Sequence, residues 1–116
     1  MTAFAYDEAG ILSVDGIGLD AIAERHGTPC YVYAGDAIAA RYRAFTAAFG
    51  EHPHRLCYAV KANANLAVLA MLARLGAGFD IVSGGELARV VAAGGDPART
   101  VFSGVAKSTG ELEQAL

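Results

Sequence analysis

The sequence predicts an α/β fold built on parallel strands, and three observations carry that prediction. Short apolar runs open at Cys57, Phe79 and Val101, separated by equal intervals of 22 residues. Between them lie helical patterns, with Leu66, Leu69, Ala70, Leu72 and Ala73 in the first and Leu87, Val90 and Val91 in the second. Repeated segments of this length are the pattern of βα units with right-handed crossovers. The composition agrees, since 54% of the 116 residues are hydrophobic and 18% charged, enough apolar surface for a core and too little charge for disorder. Three strands are fewer than the eight that close a barrel, so an open sheet edge is expected after residue 104.

Upstream of the repeat, residues 3–18 alternate loosely. Phe4, Tyr6, Ile11 and Val14 are their apolar points and Gly10, Gly16 and Gly18 their punctuation, which predicts a short β-hairpin with nothing nearby to pack on. Leu19, Ile22 and Ala23 then recur at helical spacing. Gly27 as C-terminal cap and Pro29 beyond it close a short amphipathic helix over 19–26. Cys30-Tyr31-Val32-Tyr33 is a β-prone run after a Gly-Thr-Pro turn and is expected to be a strand. Asp36 can cap a helix over 37–49, in which Ile38, Tyr42, Phe45 and Phe49 form an apolar stripe. A stripe of this kind is far more often a face laid on a sheet than a ligand box.

Chemistry concentrates around Cys57-Tyr58-Ala59-Val60-Lys61-Ala62-Asn63-Ala64-Asn65. A buried strand that delivers Lys61 at its C-terminal end places an amine where parallel sheets keep their ligands. Held against an apolar wall, such an amine has its charged form destabilised and becomes a nucleophile toward a carbonyl. The bland alternative is a strand-end lysine pointing into solvent. Asp80 is the next candidate, an acid inside an apolar run nineteen residues after Lys61 that needs a partner there, either a lysine or a backbone donor. Electrostatic support of Lys61 suits it better than direct acid–base work.

Ser83-Gly84-Gly85-Glu86 reads two ways, as a glycine cradle for a phosphate or as a capping box, and the cap is favoured because Ser108-Thr109-Gly110-Glu111 repeats it. Asn63 and Asn65 can cap the helix that follows. Tyr58 shares a side with Val60, out of phase with Lys61, and is assigned to packing. Ser103 and Lys107 end the third strand, where Lys107 can reach an anion or simply stay solvated. His52-Pro53-His54 lacks a third ligand, and His26 stands apart, so no metal site is expected.

Three blocks in order resemble one family. Tyr-Ala-Val-Lys-Ala-Asn at 58–63, Gly-Phe-Asp-Ile-Val-Ser-Gly-Gly-Glu-Leu at 78–87 and Val-Phe-Ser-Gly-Val-Ala-Lys-Ser at 101–108 are similar to the diaminopimelate decarboxylases. That resemblance implies the N-terminal part of a (β/α)8 TIM-type barrel, about three βα units, preceded by a hairpin belonging to a second β domain. It divides the chain into 1–27, part of that β domain, and 28–116, an incomplete barrel that binds pyridoxal phosphate. It implies that Lys61 carries the cofactor and that Asp80 lies near it, because related amino acid decarboxylases keep an acid there. The implied reaction is decarboxylation of meso-2,6-diaminopimelate to L-lysine, with a small amino acid as the partner of the site and a homodimer as the assembly. Family members are several times longer and hold the rest of the machinery downstream, so the 116 residues alone are expected to be inactive. Decarboxylases acting on ornithine, arginine or carboxynorspermidine share Lys61 and Asp80 and stay open. Alanine racemase fits the 80–87 block less well, and the leading hairpin argues against a non-enzymatic single-domain carrier of the cofactor.

Other function classes find no footing. The net charge is -3 and no run of lysine or arginine is long enough to track a phosphate backbone, so nucleic acid is not an expected partner. Cys30 and Cys57 lack CxxC spacing and are expected to be buried, reduced thiols. Met1–Glu8 shows no secretory pattern, and Arg74 and Asp80 interrupt the richest apolar stretch, which together predict a cytoplasmic protein without a membrane span.

Overall fold

A computed structural model describes residues 3–116, so the first two residues of the segment expected over 1–27 lie outside that range. The chain forms two compact units, one running to Arg41 and the other Tyr42–Leu116.

The first unit holds a three-stranded antiparallel sheet rather than a plain hairpin: β1 (Phe4–Tyr6), β2 (Leu12–Val14) and β3 (Ile17–Gly18), in that order. Phe4 lies opposite Val14 and Tyr6 opposite Leu12. The Asp7 carboxylate closes the first turn by accepting from the N–H groups of Ala9 and Ile11, both at 2.9 Å. Asp15 and Gly16, at φ 48° and 79°, make the second, the left-handed pair that a two-residue hairpin turn requires. Helix α1 (Leu19–His26) starts where β3 ends and rests on β2 and β3, leaving Val14 only 4% exposed. The hairpin therefore does have something to pack on. Gly27 ends α1 at φ 78°, its N–H donating to the Ala23 carbonyl at 2.8 Å.

Four expectations fail in the next stretch. Residues 30–33 form no strand, because no described strand offers them a ladder and β propensity alone satisfies no backbone group. Cys30 is exposed rather than buried, and Tyr31 is 91% exposed. Helix α2 (Gly35–Ala48) begins earlier than expected, with Asp36 inside its first turn. The capping carboxylate comes instead from Asp15, which accepts from the Asp36 N–H at 3.1 Å. Only Ala39 of α2 is buried. Its aromatic stripe is not laid on a sheet, since Phe45 is 61% exposed and Phe49, beyond the helix end, stacks on the His54 ring with centroids 4.6 Å apart.

The second unit carries the predicted parallel sheet, β4 (Cys57–Ala59), β5 (Gly78–Ile81) and β6 (Thr100–Phe102), with β5 in the middle. The register differs from the spacing of the apolar runs. Paired residues are offset by 21, Cys57 opposite Gly78 and Phe79 opposite Thr100, not by 22. Because side chains alternate along a strand, that single residue decides which of them share a face. Phe79 stands abreast of Tyr58 and Thr100 on one side, and Asp80 abreast of Ala59 and Val101 on the other.

The first of these faces is the core. Helices α3 (Leu66–Arg74) and α4 (Gly84–Ala92) cover it with Val68, Leu69, Leu72, Leu87 and Val90, and Phe79, Ile81, Val60, Leu69 and Val90 are almost wholly enclosed. Gly78 is obligatory at its place, since a Cβ there would stand 2.5 Å from the Arg99 carbonyl oxygen and 2.8 Å from Cys57 Sγ. Helix α5 (Thr109–Ala115) completes the third unit and rests on α4.

Candidate active site

The second face of the sheet is open. Ala59, Asp80 and Val101 follow one another across it in register, Ser103 lies two residues beyond Val101, and Val101 is 48% exposed. Strand β4 ends at Ala59, one residue short of the expected Val60, and Lys61 sits in a 3-10 turn over Val60–Ala62. Val60 anchors the turn from below with no exposed surface, while Lys61 is exposed. The apolar wall expected around the amine is therefore absent, because nothing among the described residues covers this face. Lys61 makes no hydrogen bond or ion pair among the described residues, which leaves its amine free to react.

The backbone that follows Lys61 is tied down at four places. The Tyr58 hydroxyl donates to the Asn63 carbonyl at 3.2 Å and Arg89 Nη1 to the Ala64 carbonyl at 3.1 Å. The Asn63 side chain accepts from the Asn65 N–H at 3.0 Å, and Asn65 Oδ1 caps α3 by accepting from the Ala67 N–H at 2.9 Å. The two asparagines thus hold the shape of the turn. Arg89, which its place on a helix surface does not distinguish in the sequence, joins the lysine loop to the next βα unit.

Asp80 is half-buried and its partner is neither a lysine nor a backbone donor. Ser103 Oγ donates to Asp80 Oδ1 at 2.5 Å. No cation pairs with the carboxylate among the described residues. Lys61 and Asp80 are not bonded to each other. Ser103 is the site residue that strand-end position leaves ordinary; the register of 21 would have put it two residues past the neighbour of Asp80, on the same side.

The start of α4 settles between the two readings of Ser83–Glu86. Ser83 Oγ accepts from the Glu86 N–H at 3.2 Å, as a cap does. Glu86 does not return the bond to Ser83 but accepts from the Val82 N–H at 2.7 Å, so the box is only half made. The Gly84 N–H, which a phosphate would need, donates to Glu111 Oε1 at 2.9 Å. A carboxylate of this chain already occupies the anion position. Glu111 also closes a complete capping box with Ser108, its carboxylate accepting from the Ser108 N–H at 3.0 Å and its own N–H donating to Ser108 Oγ at 3.3 Å, and the Ser108 hydroxyl donates to the same carboxylate at 2.9 Å. The Gly84 N–H first, then the Ser108 N–H and hydroxyl, hold its carboxyl below the usual glutamate range. Lys107 is exposed, and its Nζ donates to the Phe102 carbonyl at 3.0 Å and lies 5.7 Å from the centre of the Phe102 ring.

These donors fit one end of pyridoxal phosphate. An exposed, unpaired amine can take up an aldehyde, and an anchored acid lies on the neighbouring strand; the phosphate end finds no vacant amide cradle at α4.

Comparison with known proteins bears directly on this site. Residues 35–116 match the family model described as pyridoxal-dependent decarboxylase, pyridoxal binding domain. The chain is 57% identical over all 116 residues to the diaminopimelate decarboxylase of Pseudomonas aeruginosa, covering 28% of that protein. Among solved structures, the diaminopimelate decarboxylase of Helicobacter pylori complexed with L-lysine is 44% identical, with a TM-score of 0.80 over 84% of this chain and 25% of that one. The M. jannaschii enzyme in co-complex with L-lysine is 34% identical, with a TM-score of 0.84 over 97% of this chain and 27% of that one. The chain thus spans little more than a quarter of the length of the relatives it matches. It belongs to the pyridoxal-dependent decarboxylase family, and its residues from 35 onward are part of the pyridoxal binding domain.

Proposed function

We propose that the whole protein decarboxylates meso-2,6-diaminopimelate to L-lysine with pyridoxal phosphate as cofactor, Lys61 holding the cofactor covalently and Asp80 lining the same site. The observation that carries the chemistry is the Lys61 amine, exposed and unpaired at the mouth of a parallel sheet. The choice of substrate rests on likeness to the diaminopimelate decarboxylases over every residue of the chain.

In the reaction the substrate loses one carboxyl group as carbon dioxide, the electron pair of the broken bond stays on the α-carbon, and a proton takes the vacated place. The bound cofactor supplies the sink for that electron pair. Lys61 supplies the nitrogen, on a turn whose lower side is buried through Val60 and whose downstream end is tied by Tyr58 and Arg89. Asp80 lines the open face that the reacting groups would occupy. The phosphate must be held by residues other than the α4 amides, because Glu111 fills that position.

The same reading makes the whole protein a cytoplasmic homodimer that binds a small amino acid and neither nucleic acid nor membrane. No helix among the described residues is long and apolar enough to cross a membrane. The division into a β-domain segment over 1–27 and a barrel segment over 28–116 belongs to this reading too.

The test is turnover by the whole protein, supplied with cofactor, on meso-diaminopimelate, ornithine and arginine. Carbon dioxide release with L-lysine as product, at a kcat/KM well above that for the other two, is expected. A preference for ornithine or arginine, or no lysine formed, would overturn the assignment.

A further inference from the structure

We infer that Ser103 is a positioning residue of the Lys61 site, its hydroxyl fixing the Asp80 carboxylate so that one oxygen is held by the protein and the other is left for a cationic nitrogen of the bound cofactor or substrate. The inference rests on the cofactor reading above and deepens it.

Asp80 lies on the middle strand of the sheet, between Ala59 and Val101, so its backbone cannot shift without breaking both ladders. Ser103 is pinned just as closely. Its N–H donates to the Ile81 carbonyl at 2.9 Å, which carries the β5–β6 ladder one step past the end of β6. With both backbones fixed, the 2.5 Å bond from Ser103 Oγ to Asp80 Oδ1 sets the rotation of the carboxylate. Oδ2 has no partner among the described residues.

The identity of the donor matters. A half-buried acid needs a hydrogen-bond partner, and an arginine or lysine in that place would also cancel its charge. A serine orients the carboxylate and leaves the charge in place. Asp80 is thus an oriented carboxyl group without a cationic partner among the described residues, on the strand next to the one that leads into Lys61.

A double-mutant cycle in the whole, cofactor-loaded protein tests this, with Ser103→Ala, Ser103→Cys, Ser103→Thr, Asp80→Asn and the Ser103→Ala/Asp80→Asn pair. The readouts are cofactor affinity by titration of the visible absorbance band, the position of that band, and kcat and KM separately. Loss of a hydrogen bond to a charged group predicts that Ser103→Ala weakens cofactor binding about tenfold and shifts the band. Ser103→Thr, which keeps the hydroxyl, restores both, and Ser103→Cys, which keeps the volume with a weak donor, falls between and stands in if the alanine variant does not fold. In the Asp80→Asn background the alanine substitution changes affinity less than about twofold, because Ser103 acts only through Asp80. Additive losses in the pair, or a parent that binds cofactor on Lys61 with a band and affinity unmoved by Ser103→Ala and Ser103→Cys, would overturn the inference alone. A parent with no lysine-linked band would overturn the cofactor reading and the inference with it.

Discussion

Phe79 has no exposed surface and sits between the core face of β5 and the helices that cover it, so truncation leaves a cavity that the surrounding side chains fill only in part. Phe79→Ala is expected to cost about 3–5 kcal/mol, read from urea unfolding. Gly78 beside it tolerates no side chain for a different reason. Its Cβ would meet the backbone oxygen of Arg99, in the turn that leads into β6, and Gly78→Ala should cost about 1–3 kcal/mol by overpacking even though no group is removed. A melting point for Gly78→Ala equal to that of the parent would contradict the close approach. At this scale the apolar period was enough to find Phe79, Leu69 and Val90, because burial is what the period measures. It was not enough to find the partner of Asp80. That bond joins residues 23 positions apart on neighbouring strands, and only the register says that they meet.

Consecutive βα elements are clipped together by Glu111, whose carboxylate serves the first turn of α4 and the first turn of α5 at once. Its folded-state pKa is lowered, so the stabilisation it gives is fully present above the ordinary glutamate value and is lost as the pH falls through the lowered folded value. Glu111→Gln should therefore destabilise the protein near neutral pH and flatten the acid limb of its stability profile. Unchanged acid sensitivity in thermal melts from pH 3 to pH 7 would show that the clip carries no ionic character. The capping motif itself was legible as Ser-x-x-Glu in both units, yet the first Glu caps Val82 and the anion at Gly84 comes from the second. Local sequence reports local caps. It is silent on a carboxylate that arrives from 27 residues away. The elements over 30–33 and 37–49 mark the converse limit, since β propensity and an aromatic stripe describe surfaces suited to burial without supplying the strand or sheet that would bury them.

Taken whole, the chain presents a parallel sheet with two unpaired edges, one bare face and several exposed aromatic rings, over a length little more than a quarter of its relatives. The outer edges of β4 and β6 have no ladder among the described residues, whereas β5 is paired on both sides. Amide exchange in the 116-residue chain should consequently be slowest in β5 and faster at the free edges of its neighbours, and equal protection of all three would contradict this topology. Among the described residues nothing walls the bare face, in keeping with the expectation that residues 1–116 alone do not turn over substrate. The most direct test of the central claim is borohydride reduction of the whole protein after addition of pyridoxal phosphate, followed by peptide mapping of the covalent label. Label on Lys61, absent from Lys61→Ala, is the predicted result. Label on another lysine, or equal labelling of the Lys61→Ala variant, would contradict the assignment of Lys61 as the residue that holds the cofactor.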